Sequence, residues 1–274
     1  MTILITGASG LVGARLLPRL AETGRDCRAL MRAGKAAPAG VAAVEGDLLE
    51  PASLVRAVQG VSAIIHLAAV FRSPDTDMIW KSNLDGTRNL VAAAKGYAPE
   101  ARFIMASTTN VYDMDSPHPG REDDATDPKQ AYPASKIAAE KELRESGLNW
   151  SILRFGFVYG DQDGHLEKLP GLAAQAQFHP AKTMSMIHHR DIAFAMELAL
   201  SGAMDGHIVN ITDEAPTSLY ELAELAELVG EAMEPSSEPL ENPWHLHVSG
   251  ALARRLGFRP SVRSVYQAAE ENLL

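Results

Sequence analysis

Short, almost continuously apolar runs alternate with amphipathic stretches from residue 2 to about residue 211. The runs at 2–5, 27–31, 42–45, 63–67, 102–106, 151–154 and 207–211 suit strands and are too short for helices. Helical spacing fills intervals at 11–22, 51–58, 83–95, 132–146 and 190–201. In the third of these, Leu84, Thr87, Leu90, Val91 and Ala94 form one stripe. Strands covered on both faces read as unbroken apolar runs, and parallel strands need a crossover, usually a helix. The alternation therefore predicts an α/β chain built on a doubly wound parallel sheet with right-handed crossovers.

The pattern loosens after residue 159, where D-Q-D-G-H-L-E-K-L-P-G reads as loop. A second break, E-A-M-E-P-S-S-E-P-L-E-N-P-W, follows a helical stretch at 218–229 that ends at Gly230. These breaks predict a main domain of residues 1–159 plus 186–212. They leave a smaller C-terminal lobe of 160–185 plus 213–274, which would lie over the strand ends and receive a substrate.

The first strand runs into T-G-A-S-G-L-V-G, with Gly7, Gly10 and Gly13 three apart. A strand-to-helix turn of this kind needs one residue free of Cβ constraint. A second must let the backbone approach a pyrophosphate, and a third must let the helix pack on the sheet. The helix N-terminus adds N–H groups and partial positive charge. Placed after a strand and before a helix, the three glycines read as a dinucleotide site, which makes the sheet a Rossmann domain. No acidic residue occurs between Cys27 and Val44 to bind a ribose 2′-hydroxyl. Arg32 and Lys35 stand instead where a 2′-phosphate would lie. The expected cofactor is NADP, with NAD possible.

At Tyr132 to Lys136 the chain reads Y-P-A-S-K, at the start of a helical stretch. Residues i and i+4 share a face, so phenol and ammonium lie one turn apart. A unit charge about 4 Å away at an effective dielectric near 20 is worth roughly 4 kcal/mol. That could lower a tyrosine pKa by up to about three units, towards the range where an acid–base group works at neutral pH.

Seven segments in order resemble the extended short-chain dehydrogenase/reductase family, in its NAD-dependent epimerase/dehydratase group. They are T-G-A-S-G-L-V-G, G-D-L (46–48), H-L-A-A (66–69), N-L-D-G-T-R-N-L (83–90), S-T-T-N-V-Y (107–112), Y-P-A-S-K and L-R-F-G-F-V-Y-G (153–160). The resemblance implies hydride transfer between nicotinamide C4 and a substrate hydroxyl or carbonyl carbon. Tyr132 would be the general acid/base, Thr108 would bind the substrate oxygen, and Lys136 would hold the ribose. It places the dinucleotide against Gly7, Ser9, Gly10, Leu11, Val12, Gly13, Arg32, Lys35, Asp47, Leu48, Leu67, Ala68, Ala69, Ser107, Phe155 and Val158, as well as Tyr132 and Lys136. Asn83 would fix the catalytic helix. The chain departs from the usual pattern at Arg154-Phe155, where many members have R-P, and at His188-His189-Arg190-Asp191.

The resemblance leans to an NADPH-dependent carbonyl reductase of the dihydroflavonol-reductase type. A nucleotide-sugar epimerase/dehydratase and a non-catalytic NADP sensor are the alternatives, and the sensor is disfavoured because such proteins lack the Tyr–Lys pair. It also implies a homodimer formed through the helices at 83–95 and 132–146. A net charge of −10 argues against a nucleic-acid partner. The absence of a long apolar stretch or basic leader suggests a cytoplasmic protein without membrane spans, acting on a small molecule. With Cys27 as the single cysteine, and no third ligand apparent beside His188-His189 or the H-L-H at His245 and His247, no metal site is expected.

Overall fold

The computed structural model describes residues 2–38, 41–225, 233–234 and 236–274. The chain opens with β1 (Thr2–Thr6), α1 (Gly13–Glu22), β2 (Asp26–Met31), β3 (Ala42–Glu45), α2 (Pro51–Val58) and β4 (Ala63–His66). Next come α3 (Thr76–Trp80), a π-helical turn (Lys81–Asp85), α4 (Gly86–Tyr97), β5 (Arg102–Thr108), α5 (Ala131–Arg144), β6 (Trp150–Phe155) and β7 (Phe157–Tyr159). It continues through α6 (Leu169–Gln175), β8 (Thr183–Met184), β9 (Met186–His188), α7 (His189–Leu200), β10 (Ile208–Ile211) and β11 (Thr217–Ser218). The last helices are α8 (Leu219–Leu225), α9 (Ala251–Arg255) and α10 (Val265–Glu270).

Seven strands form one sheet in the order β3-β2-β1-β4-β5-β6-β10, every neighbouring pair parallel. This is the Rossmann-like fold that the apolar runs predict, and the order reverses between β1 and β4, where such sheets bind ligands. The pleat sends Ile3 and Ile5 into one apolar layer, with α1 and α7. It sends Leu4 into the other, with α2, α4 and α5. A third cluster unites Tyr159, Leu169, Met186, Leu222, Val265 and Ala268, all from segments that follow β6 or β10 in the chain. Among the described residues no helix is long and apolar enough to cross a membrane.

Several elements differ from the sequence expectation. β5 is longer than its apolar run and carries Ser107 and Thr108 within the strand. The helix expected from residue 83 begins as the π-helical turn, a form that often marks functional sites. Residues 251–258 return to the main core, where Ala253 and Phe258 are buried and the Phe258 ring stacks on Phe194. Of the helix expected at 218–229, residues 226–229 lie outside the described residues.

Candidate active site

The glycine turn is held in its shape by steric necessity. Gly7 has φ of +71°, and a Cβ there would sit 2.6 Å from the Ala68 nitrogen. A Cβ on Gly13 would lie 2.2 Å from the Gly7 carbonyl oxygen. Gly10 N donates to Gly7 O at 2.9 Å. Ser9, Gly10 and Leu11 are exposed on the rim, Val12 is half-buried, and the first turn of α1 has no acidic residue to compete for its positive end. The exposed rim and the unopposed positive end of α1 fit a diphosphate, and a side chain at Gly7 or Gly13 would collide with the backbone that shapes the turn.

The turn packs against the end of β4 through a directed hydrogen-bond chain. The Thr87 hydroxyl donates to Asn83 O at 2.6 Å, so its oxygen accepts from His66 Nε2–H at 2.9 Å. His66 Nδ1 then accepts from the Thr6 hydroxyl at 2.7 Å, and Thr6 Oγ1 accepts from Ala68 N at 3.3 Å. Burial, with the nearby Lys136 charge, pushes His66 down to about 3, so it serves as a neutral strut. Leu67 and Ala68 are half-buried beside the turn and Ala69 is exposed. Past β2, Arg32 and Lys35 are exposed on a turn closed by Lys35 N donating to Arg32 O at 3.0 Å. Asp47 accepts from Leu49 N at 2.9 Å, and the Leu48 carbonyl accepts from Asn89 Nδ2 at 2.8 Å.

The π-helical turn aims Asn83 inward. Its side chain exchanges two bonds with the Val70 backbone, accepting at 2.7 Å and donating at 3.0 Å, and also donates to Ser135 Oγ at 3.0 Å. Ser135 donates in turn to Tyr132 O at 2.7 Å. Asn83 thus ties the segment after β4 to the first turn of α5, which carries Tyr132 and Lys136. Lys136 is buried, and desolvation pushes its ammonium down to about 8 although Glu140 pulls it up. The part-buried Tyr132 ring meets Phe71 edge-on at 4.6 Å. Burial pushes its phenol up to about 12, opposite to the lowering that the Tyr–Lys spacing suggests. The physical reason is that burial withdraws the phenolate from water.

Thr108, at the end of β5, is buried and accepts from Asn110 N at 3.2 Å, which leaves its hydroxyl hydrogen free to donate. Ser107 is committed elsewhere. Its hydroxyl donates to Glu140 Oε1 at 2.5 Å, and Glu140 also receives Arg154 Nε at 3.0 Å and Nη2 at 2.6 Å. Arg154 Nη1 donates to the Tyr112 hydroxyl, which donates to Asn210 Oδ1 at 2.7 Å. The network joins β5, α5, β6 and β10. Phe155 is buried in the main core, while Val158 is half-buried and offers its carbonyl to His165.

The histidine pairs serve the fold. His188 Nδ1 accepts from Arg190 N at the start of α7 and its Nε2 donates to Leu273 O at 2.9 Å. His189 Nε2 lies 2.8 Å from Asp163 Oδ2, both side chains buried. His245 Nδ1 accepts from Lys182 at 2.6 Å. Sequence reading missed Phe71, which meets the Tyr132 ring, and Arg72, His165 and Phe157, which lead away from it through successive side-chain contacts. Their loops carry no periodicity, and only the proximity of Phe71 and Arg72 to the H-L-A-A segment could have pointed to them.

Residues 3–212 match the NAD dependent epimerase/dehydratase family. The chain is 31% identical over 200 residues to a ceramide reductase of Caulobacter vibrioides, an alignment covering 70% of this chain and 58% of that protein. It is 31% identical over 190 residues to UDP-glucuronate 4-epimerase 5 of Arabidopsis thaliana, covering 58% of this chain and 42% of the relative. It therefore spans less than two thirds of either relative's length. A short-chain dehydrogenase/reductase superfamily protein from Agrobacterium tumefaciens, solved with bound NAD, superposes with a TM-score of 0.81 at 25% identity. That superposition covers 99% of this chain and 95% of the other.

Proposed function

The chain belongs to the NAD dependent epimerase/dehydratase family, and from that premise we propose that it is an NADP(H)-linked oxidoreductase acting on a small carbonyl or carbinol compound. One observation carries the reading. The glycine turn touches Ala68, Val70 binds Asn83, and Asn83 binds the turn of α5 bearing Tyr132. Phosphate cradle and acid–base pair are thus parts of one connected scaffold.

When bound, the nicotinamide supplies or accepts the hydride at C4. In the reducing direction Thr108 donates a hydrogen bond to the substrate oxygen and Tyr132 delivers the proton, giving the alcohol. Lys136 holds the ribose hydroxyls and stabilises the phenolate left on Tyr132. The third hydrophobic cluster, with the loop at 160–166, forms the lobe that we assign to the substrate. The exposed faces of α4 and α5 are assigned to pairing with a second copy. The carbonyl-reductase reading is preferred to that of a nucleotide-sugar epimerase because the ring packed on Tyr132 is the half-exposed, apolar Phe71. An epimerase reoxidises its own intermediate, so purification with tightly retained dinucleotide would favour that alternative.

Arg32 and Lys35 support NADP(H) over NAD(H). A charge-assisted bond to a 2′-phosphate is worth about 1.5–3 kcal/mol, or roughly 10- to 100-fold in affinity. Thermal-shift titration is expected to show NADPH stabilising the protein at lower concentration than NADH. Replacing both cations with alanine is expected to erase the difference. Preferential stabilisation of the unaltered chain by NADH would refute the assignment.

A further inference from the structure

We propose that Arg72 binds an oxyanion of the substrate, a carboxylate or a phosphate, and that His165 aims it; this rests on the catalytic reading above. The Arg72 guanidinium carbon lies 4.6 Å from the Phe71 ring centroid, and Nη2 is 3.0 Å from His165 Nε2. His165 Nδ1 is 2.8 Å from the Val158 carbonyl and must donate to it, so Nε2 accepts from Arg72. The imidazole also stacks on Phe157, with centroids 4.3 Å apart and planes 14° apart. Burial holds its pKa below the ordinary histidine value, in keeping with a neutral acceptor. Backbone, imidazole and guanidinium therefore form a directed relay that orients an exposed arginine.

A guanidinium has five N–H donors in a planar fork suited to carboxylate or phosphate. One is used here, and among the described residues no carboxylate pairs with Arg72, in a chain with 35 acidic side chains. Asp75, three residues on, accepts from Met78 N at the start of α3 instead. The ring that carries Arg72 is also the one that meets Tyr132 at 4.6 Å. Phenol and fork thus flank a single phenylalanine, 42% exposed. A carbonyl compound with an apolar body and an oxyanion about one ring away would engage both.

The test uses three aryl ketones, 4-acetylbenzoate, its methyl ester and 4-acetylphenyl phosphate, titrated calorimetrically into the NADP+-loaded protein. At least one anion is expected to bind about tenfold more tightly than the ester, and the two anions distinguish carboxylate from phosphate recognition. Arg72→Gln is expected to abolish the preference without changing NADP+ affinity. Arg72→Lys should keep part of it, because an ammonium retains the charge but not the fork. His165→Phe, which keeps the stacking and loses the relay, should reduce it. Equal binding of ester and anions, no binding of either anion, or a preference that survives Arg72→Gln would overturn the proposal. Failure of NADP+ itself to bind, read before any ketone is added, would refute the catalytic reading and this inference with it.

Discussion

Tyr132→Phe is expected to lower kcat by about 10²- to 10⁴-fold, the usual contribution of a positioned acid–base group, while NADP(H) affinity changes little. The hydroxyl is the only group that the change removes. The ring stays, and with it the edge-on contact to Phe71 at 4.6 Å. Without cofactor the phenol stands near 12, too high for a base at neutral pH, and Lys136 near 8 is only partly protonated under mildly alkaline conditions. In the proposed mechanism a cationic nicotinamide and a charged lysine together lower the phenol when the complex forms. Oxidation of an alcohol should therefore speed up with rising pH until Lys136 loses its proton, and that dependence should vanish in Tyr132→Phe. Steady-state kinetics with a fluorescence titration of NADPH measure both arms. A variant with full turnover would remove Tyr132 from the mechanism.

Glu140→Ala is expected to destabilise the fold by about 3–5 kcal/mol, the range for removing one partner of a buried ion pair. Glu140 and Arg154 are both buried, and the carboxylate accepts two bonds from the guanidinium and one from Ser107. Its loss leaves Arg154 charged in the interior, hydrogen-bonded to the Tyr112 hydroxyl and without the carboxylate that directly pairs with it. At roughly 2–4 °C per kcal/mol for a chain of this size, the melting temperature should fall by about 6–20 °C. Glu140→Leu combined with Arg154→Met should be less destabilised than Glu140→Ala, because no buried charge is stranded. Differential scanning calorimetry of the three proteins decides the matter. A loss below about 1 kcal/mol in Glu140→Ala would mean that the network is not holding β5, α5 and β6 together.

The origin of the scaffold was legible because it depends on local rules. Apolar runs marked every strand of the main sheet, and the spacing of Gly7, Gly10 and Gly13 identified a turn in which Gly7 and Gly13 have no room for a side chain. The Y-P-A-S-K spacing placed Tyr132 and Lys136 on one helix. Spacing could not reveal that Ser107 is spent on Glu140, since strand residues one apart look alike until the packing on each face is known. Nor could it reveal that Arg154, at the R-P departure, is the centre of a buried network reaching β10.

What the amino-acid order determined alone was the succession of strands and helices in the main sheet, the glycine turn after β1 and the placement of Tyr132 and Lys136 one turn apart on α5. Each follows from periodicity, backbone sterics or short-range spacing. Only the tertiary structure decided the surroundings of Tyr132: the Asn83 strap, the Phe71 contact, the Arg72–His165 relay and the upward push on the phenol. Those depend on loops with no repeating pattern, brought together from distant parts of the chain. The field at one oxygen atom depends on what surrounds it in space, not on its neighbours in sequence.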